Sequence, residues 1–475
     1  MKTWQNFLWA IILFTIPSLA LSAQEDSPFD FNMGIGLGVE TFNDGTDGEE
    51  VSYQKIGLLP EFIIGKWGVA LDLSFHVRSG DGNNMMNFRE EDWVPEDDDE
   101  FNSWLQLYLS KFVYLRYGQK GDPLYGRFGS ISGGTLGTGF IMRNYSNTMF
   151  LPDERLLGLA LDVDGALINF PLVGFETMVG NLAAFDVMGT RFYARPLVTT
   201  DNRLLQNLEL GFTVAADRDP AYREEYFTEL NSLGYYDLDG DGNLTTDIDT
   251  ALVWGADLVQ PILATDVISL AAYTAFAAQP GVGDRSETAT GEMIGIGGRL
   301  IKVIPYSAQI RFLGEDFIPS YFDTTYDLYR GYKYAILSGE SDGSSAMVGW
   351  LASTGFSLLQ DLIVFNAMIE GPFDSIPTSD EEEKFEYSSA QYPHVAMAFT
   401  LGEGAIPNIS IDAYYDKQYI VSFSDTFHPV GAVIGAAINY RTGPAVITMG
   451  YDFRYNPATD EFDTSARLMT TISTN

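Results

Sequence analysis

The sequence predicts an all-β protein whose fold is a transmembrane antiparallel up-and-down β-barrel of about 20 strands, within a range of about 16 to 22. Three observations predict this fold. Strand-length segments alternate between apolar and polar residues along most of the chain. Beyond the N-terminus, no apolar run approaches the roughly 18 residues that a transmembrane helix needs. Finally, long loops and short turns alternate between the segments.

The alternation is clearest in residues 28–42 (PFDFNMGIGLGVETF), where apolar side chains take every second position. Those positions are Phe29, Phe31, Met33, Ile35, Leu37 and Val39. The same pattern recurs in residues 68–78, 208–216, 409–417 and 446–455. A soluble antiparallel sheet with one wetted face alternates in this way, and so does a strand that crosses a membrane. The alternation alone therefore leaves both interpretations open.

The connections between the strands favour the membrane barrel. Every second connection is long, and these long loops are predicted at 43–50, 79–103, 132–155, 217–250, 279–291, 315–345, 372–392, 417–429 and 456–463. Tight turns such as GKWG, DVDG and one near Pro261 are predicted between them. Long external loops and short periplasmic turns are typical of a membrane barrel, whereas a soluble sandwich has no reason to keep its loops on one side. The apolar face would then meet lipid, and the polar face would meet water in the lumen.

The N-terminus has the order of a secretory signal peptide. Lys2 precedes an apolar run over residues 7–16, and Leu-Ser-Ala at 21–23 precedes the expected cleavage site. We therefore predict a signal peptide at residues 1–23 and a single barrel domain at 24–475, with no plug domain in front of the first strand. The chain has no cysteine, which excludes disulfides and lipid attachment through cysteine.

Charge narrows the partners that the chain can have. It carries 65 acidic and 27 basic residues, a net charge of −38. Such an excess of negative charge disfavours nucleic acid as a partner and favours cations. Acidic chains that lack aromatic residues are usually disordered, but here 14% of the residues are aromatic. The composition indicates β-structure with acidic loops.

The signal peptide, the alternating strands and the aromatic strand ends at 450–455 (GYDFRY) and 190–196 (TRFYARP) resemble those of porin-like bacterial outer-membrane β-barrels. This resemblance implies that the protein lies in the outer membrane of a bacterial cell and contacts outer-membrane lipid. An oligomer is possible, and the sequence leaves the oligomeric state undetermined. Many barrels of this class end in Phe or Trp, and the ending RLMTTISTN at 467–475 departs from that pattern.

A barrel of this size encloses a water-filled lumen unless a segment plugs it. The predicted function is passive diffusion of small hydrophilic solutes. The alternatives are an outer-membrane transporter of hydrophobic compounds, which needs an apolar lumenal pocket, and a surface adhesin or structural barrel, which acts through its acidic loops. An enzyme is not expected: Asp72, Ser74 and His76 share one strand face, but alternate residues share a face in every strand, and no G-x-S-x-G motif accompanies them.

Arginines on the polar faces of the strands are the candidate pore-lining residues. If the larger apolar residues face lipid, the lumen receives Arg127, Arg191, Arg195, Arg299, Arg311, Arg441, Arg454 and Arg467, together with Arg143 if its loop folds inward. Basic residues opposite acidic ones would screen solutes by charge and size. Alternatively, they pair with lumenal Asp72, Glu176 or Asp412 and stiffen the wall. Both interpretations stay open.

One loop motif predicts a structural calcium site. The sequence DLDGDGNLTTDID matches an EF-hand-like loop, in which hard oxygen ligands surround the ion, and its predicted ligands are Asp237, Asp239, Asp241, Asn243, Thr245 and Asp249. Ile248 occupies the place of the usual bidentate glutamate, so a shifted carboxylate, Asp249 or Asp247, would have to close the site. The alternative is a solvated acidic turn.

Two further segments have ambiguous patterns. Residues 312–336 are dense in aromatic side chains, which predicts either a stacking platform for a sugar or an aliphatic solute, or an interfacial girdle or packing of the loop onto the barrel rim. In residues 105–118, Lys111 falls in phase with Leu109 and Val113 on a predicted strand, and this placement requires a bulge or another register there.

Overall fold

The structure is a computed structural model that describes most of the chain. The described residues are 29–42, 51–79, 86–95, 101–151, 155–202, 204–221, 249–283, 285–341, 343–374, 392–420, 422–427, 431–443, 445–456 and 461–473. The predicted signal peptide therefore lies outside the described residues.

Strands account for most of these residues. They are β1 Phe29–Phe42, β2 Val51–Ile64, β3 Trp67–Leu71, β4 Leu73–Ser79, β5 Met86–Phe88, β6 Phe112–Tyr117, β7 Leu124–Gly129, β8 Gly158–Asp164, β9 Val173–Val179, β10 Val187–Ala194, β11 Glu209–Asp217, β12 Ala251–Ala264, β13 Ile268–Pro280, β14 Thr288–Leu300, β15 Ile304–Leu313, β16 Met347–Leu358, β17 Ile363–Pro372, β18 His394–Ile406, β19 Ile409–Lys417, β20 Ala432–Thr442, β21 Ala445–Asn456 and β22 Glu461–Ser473. Within the described ranges, two α-helices lie in loops, α1 Phe101–Leu109 and α2 Tyr326–Ser338.

The strands close into one antiparallel barrel. Each barrel strand pairs with its neighbours in the sequence, and β22 returns to pair with β1 from Gly34↔Ser473 to Val39↔Leu468. Strands β3 and β4 are two halves of one barrel strand, because both pair with β2. Among the described strands, β5 pairs with β4 alone, so it is not part of the barrel wall. The barrel therefore has 20 strands, which confirms the predicted fold class.

The two ends of the barrel differ in their connections, as predicted. One end, the loop side, carries the inserts at 80–111, 130–157, 218–250 and 314–346. The opposite end, the turn side, has links as short as Gly65–Lys66, where Gly65 has a positive φ of 57° that suits glycine in a tight turn. The turn predicted near Pro261 is wrong, because β12 continues through a register shift at this proline and the chain turns only after Ala264.

The alternation places apolar residues on the outer face of the barrel. Leu37, Ile56 and Met449 point outward and are 47%, 51% and 54% exposed. Their strand neighbours on the inner face include Gly38, Lys55 and Gly450. Because the period of a strand is two residues, one register fixes both faces at once.

The strand predicted through residues 105–118 is wrong in its first part, which forms α1 instead. Lys111 follows this helix and precedes β6, so it does not occupy a strand position in phase with Leu109. Its ammonium nitrogen lies 4.8 Å from the ring centroid of Trp93. A bulge does occur nearby, on β6: Ala70 and Leu71 of β3 pair with Tyr114 and Phe112, so Val113 is the extra residue. A short amphipathic helix and a strand of similar length are hard to distinguish by alternation alone.

Candidate functional site

Two loops fold into the lumen and pack against each other, and we call residues 131–150 and 314–338 together the plug. A parallel bridge joins Met142 to Phe322. The backbone N–H of Arg143 donates to the Phe322 carbonyl at 2.9 Å, and the N–H of Phe322 donates to the Ile141 carbonyl at 3.1 Å. These bonds satisfy backbone groups that the lumen would otherwise leave unpaired. The plug therefore folds as one unit although its halves are distant in sequence.

The plug contains a large part of the buried apolar core. Its fully buried side chains include Met142, Tyr145, Phe317, Tyr321, Phe322, Tyr326 and Tyr329. The aromatic residues at 317–334 thus pack inside the barrel, and for them the prediction of an interfacial girdle or rim packing is wrong, whereas Phe312 is 49% exposed on the outer face of β15. The other predicted role, a stacking platform for solute, has no support from these side chains because they are covered on all sides. Among the described residues, no helix is both long enough and apolar enough to cross a membrane.

Small inward residues on one arc of the wall accommodate the plug. Buried alanines face it from β11 to β14, namely Ala215, Ala251, Ala275, Ala277 and Ala289. On β10, a Cβ atom added to Gly189 would lie 2.8 Å from Leu136 and 3.1 Å from Met142. A run of alanine and glycine at the inner positions of neighbouring strands was the sequence signal for a filled lumen.

Buried charges fasten helix α2 to the wall. The guanidinium of Arg330 donates to Asp217 at 2.6 Å and to Asp186 at 3.1 Å. The hydroxyl of Tyr326 donates to the same Asp217 carboxylate at 2.7 Å. Burial raises the pKa of Asp186, which lies in the link between β9 and β10. These two carboxylates and Arg330 form a single desolvated cluster, in which each charge depends on the others.

Helix α2 itself carries a buried carboxyl, Asp327, that is about half protonated near pH 7. Burial raises the pKa of Asp327 from an ordinary 3.8 to about 7, and the hydroxyl of Tyr145 donates to this carboxyl at 3.2 Å. A carboxyl whose pKa is higher in the docked helix than in the free chain favours docking when it is protonated. Docking of α2 should therefore strengthen as the pH falls from above 7 toward 4.

We expect this pH dependence to be measurable by hydrogen exchange. Protection factors of the α2 amides should rise as the pH falls from 8 to 6. For one titrating proton, the rise corresponds to at most about 1.4 kcal/mol of opening free energy per pH unit. The Asp327→Asn variant should lose much of this slope, because its amide does not titrate. An equal slope in both proteins would contradict the assignment to Asp327.

The plug leaves two chambers open in the lumen. A chamber of 640 Å³ lies toward the loop side and is lined by residues near the loop ends of their strands, such as Glu40, His76 and Arg454. A chamber of 780 Å³ reaches toward the turn side, where Pro305 and Thr354 line it. Asn144, Thr324 and Tyr414 line both chambers and mark their junction. We call them the loop-side chamber and the turn-side chamber.

The predicted pore-lining arginines Arg191 and Arg195 point inward and pair with carboxylates. Arg191 donates to Asp257 at 2.7 and 3.0 Å and to Glu209 at 2.9 Å. Arg195 donates to Asp164 at 2.6 Å. Arginine forks match carboxylates in this bidentate geometry, and the Arg191–Asp257 pair joins β10 to β12 across the intervening β11. In this part of the wall the arrangement fits the stiffening interpretation.

Arg311 and Arg143 differ in whether a carboxylate neutralises their positive charge. Arg311 pairs with Glu370 at 2.5 Å, and Glu370 also contacts His394 at 3.0 Å. Arg143 belongs to the plug and lines the turn-side chamber; a guanidinium nitrogen donates to the Met368 sulfur at 3.4 Å. Within the described part of the chain, no carboxylate forms an ion pair with Arg143. Burial lowers its pKa to about 10, so the side chain remains charged at neutral pH.

The remaining predicted arginines are spread along the wall. Arg127 donates to the Ser130 carbonyl at 2.8 Å. Arg299 is on an inward position of β14 near the turn side and is exposed. Arg441 pairs with Glu403 at 2.6 Å. The pore-lining role of all these arginines stays a prediction, and the carboxylate partners Asp257, Glu209 and Glu370 were missed from the sequence.

The predicted calcium loop lies almost wholly outside the described residues, and this applies to Asp237, Asp239, Asp241, Asn243 and Thr245. Asp249 is described, and its backbone N–H donates to the Tyr334 hydroxyl at 2.8 Å. Over the described ranges, no three His, Cys, Asp or Glu side chains group to hold a metal ion. Calcium binding stays a prediction.

The residues considered for a catalytic triad make other contacts. His76 contacts Asp92 at 2.8 Å and Glu40 at 3.0 Å, one through each ring nitrogen. The Ser74 hydroxyl instead donates to Asp72. Both histidine nitrogens are therefore occupied by carboxylates, and neither is placed to accept the proton of Ser74.

No protein-family model and no curated protein matches this sequence. Solved structures that it is similar to include OpdK of Pseudomonas aeruginosa with vanillate, at 10% identity and a TM-score of 0.33 over 94% of this chain and 98% of that chain. A BenF-like porin from Pseudomonas fluorescens Pf-5 gives 7% identity and a TM-score of 0.33 over the same shares. CdiB from Acinetobacter baumannii gives 9% identity and a TM-score of 0.27 over 93% of this chain, which spans 60% of CdiB. A porin is thus among the structures that this chain is similar to.

Proposed function

We propose that this chain is a bacterial outer-membrane channel, without enzymatic activity, through which small hydrophilic solutes diffuse passively. The observation that carries the proposal is the combination of an apolar outer face with a polar lumen that the plug fills only in part. The predicted cleaved signal peptide at residues 1–23 would provide export.

The outer face supports a membrane location. Bulky apolar residues such as Phe192, Ile294 and Leu468 are at least half exposed on it. A soluble protein rarely leaves so continuous an apolar surface in water. In a bilayer the same surface would be covered by lipid, and the closed hydrogen bonding of the barrel would leave no strand edge unpaired.

The loop-side chamber supports hydrophilic solutes over hydrophobic ones, whereas the turn-side chamber has a mixed lining. In the turn-side chamber, Gln309, Ser353, Asn366 and Arg143 lie beside apolar residues such as Met368. The loop-side chamber has charged residues around most of its wall. Moving an apolar molecule into such a lining leaves hydrated polar groups without partners, which costs free energy.

Planar-bilayer recording with the purified full-length mature protein tests the proposal. We expect stepwise conductance increases in a potassium chloride gradient, and uptake of small sugars into liposomes that contain the protein. Protein unfolded by heat before reconstitution serves as the control. Bilayers that incorporate folded protein and yet show no steps would contradict a diffusion channel.

We expect Arg143→Glu to shift the ion selectivity toward cations. An ion that passes about 4 Å from residue 143 changes its energy by about 2 kcal/mol when this charge is reversed in a water-like medium, so the anion-to-cation permeability ratio should fall by at least about thirtyfold. Reversal potentials in a salt gradient measure this ratio. The matched control is Lys302→Glu, since Lys302 is on an exposed turn and is 68% exposed at its side chain. Equal reversal potentials for Arg143→Glu and the parent protein would show that Arg143 does not line the ion path.

A further inference from the structure

The charges around the loop-side chamber are unevenly satisfied. On the β1 to β4 side, the carboxylates of Glu40 and Asp72 both contact the Lys55 ammonium, at 3.0 and 3.4 Å. Asp92 pairs with His76 at 2.8 Å and with Arg89 at 3.1 Å. Every one of these anions therefore has cationic partners within the protein.

The neighbouring strands β21 and β22, which adjoin β1 in the barrel, present cations without carboxylate partners among the described residues. Arg454 is 6% exposed, and its Nε atom has no hydrogen-bond partner. One guanidinium nitrogen of Arg454 donates to the Met149 carbonyl of the plug. Arg467 is exposed to the chamber, and in the described part of the chain it forms no ion pair. The nearby Asp452 carboxylate accepts the Tyr414 hydroxyl at 3.0 Å.

Backbone geometry gives Arg467 room on the neighbouring strand. Gly450 faces Arg467 across the β21–β22 pair. A Cβ atom at position 450 would lie 3.2 Å from both Nε and a terminal nitrogen of this guanidinium. The glycine thus leaves room for the Arg467 side chain along the wall, where it lines the chamber.

A buried guanidinium N–H without an acceptor is unfavourable, because five donors on a planar fork require oxygen partners. Planar arginine forks bind carboxylate and phosphate oxygens with two parallel hydrogen bonds. We propose that the loop-side chamber binds a small oxyanion, a carboxylate or phosphate group, between Arg454 and Arg467. Ser465, which lines the chamber from the same strand as Arg467, offers a hydroxyl donor next to this site.

The inference deepens the proposed function, since it names the class of solute that the channel retains. The whole chain carries a charge of −38, so long-range forces alone would repel anions. Two unpaired guanidinium groups in a confined chamber act at short range, where screening by salt is weak. The site would therefore select oxyanions that have already entered the mouth of the barrel.

Isothermal titration calorimetry on the full-length mature protein in detergent tests the site. Inorganic phosphate and succinate are titrated separately at constant ionic strength in chloride, so that phosphate and carboxylate ligands are distinguished. We expect saturable binding of at least one of them. Arg467→Gln, and separately Arg454→Gln, should weaken this binding roughly tenfold or more, which is what the loss of a charged hydrogen-bond donor predicts.

Lys302→Gln is the matched control, because it removes the same charge from a turn outside both chambers, and it should leave binding unchanged. Arg467→Gln is the more informative variant, since Arg467 does not hold the plug whereas Arg454 contacts Met149. Absence of saturable binding, or equal affinity in Arg467→Gln and the parent, would overturn the site. Binding that persists in a protein without channel conductance would overturn the proposed function and leave the oxyanion site standing.

Discussion

Arg330→Ala is expected to release the plug and enlarge the conductance of the channel. In the parent protein, Arg330 contacts Asp217 and Asp186 at 2.6 and 3.1 Å. The substitution leaves both carboxylates buried without their cation. Removing one partner of a buried ion pair typically costs about 3–5 kcal/mol. Because these carboxylates belong to the wall and its loop-side edge, the cost falls on the docking of α2 and spares the strand pairing. Single-channel conductance should rise, and a protease should cleave within residues 314–338.

The matched comparison is a triple variant, Arg330→Met with Asp186→Asn and Asp217→Asn. It removes both the cation and the charges that depend on it, so its plug should stay closer to that of the parent than the plug of Arg330→Ala. Electrophoresis without heating verifies that the barrel is folded in each protein. Parent-like conductance and protease resistance in Arg330→Ala would show that the buried charges do not hold the plug.

Phe322→Ala is expected to loosen the plug by a different mechanism, the loss of packing. The ring is fully buried, and its centroid lies 4.7 Å from that of Tyr326 and 5.1 Å from that of Tyr321. Truncation of a buried phenylalanine leaves a cavity and costs about 3–5 kcal/mol. The backbone bonds between Phe322 and the other half of the plug should be weakened as well. Hydrogen exchange of the Arg143 and Phe322 amides should therefore become faster.

Phe128→Ala provides the control for this variant. Phe128 has a similar side chain on the outer face of β7 and is 41% exposed. Its truncation removes no plug contact, so exchange of the plug amides should not change. Should both variants leave the Phe322 amide equally protected, the ring would not contribute to cohesion of the plug.

The fold was predictable because alternating apolar and polar residues mark the two faces of each barrel strand in the sequence. In 28–42, one residue in two is apolar, and the structure exposes Phe31, Leu37 and Val39 of this set on the outer face of β1. The uneven loop lengths supplied the sidedness. The error at 105–118 has a local cause: nine residues of α1 are too few to show a helical period against an alternating background.

The interior was much less predictable. The sequence places Arg143 in the lumen only if its loop folds inward. Nothing local to that loop shows that its backbone pairs with Phe322, far along the chain. Likewise, Arg330 was not singled out, because its partners Asp186 and Asp217 come from other elements. Contacts of this kind depend on closure of the barrel, and local periodicity carries no information about them.

The placement of the plug has a consequence for the shape of solutes. Small side chains from β10 to β14 seat the plug against one arc, the loop-side chamber opens beside it, and the turn-side chamber opens beneath it. A permeating molecule would therefore have to turn near Thr324 on its way between the two spaces. Among molecules of equal mass and charge, compact or bendable ones should cross faster than long rigid rods.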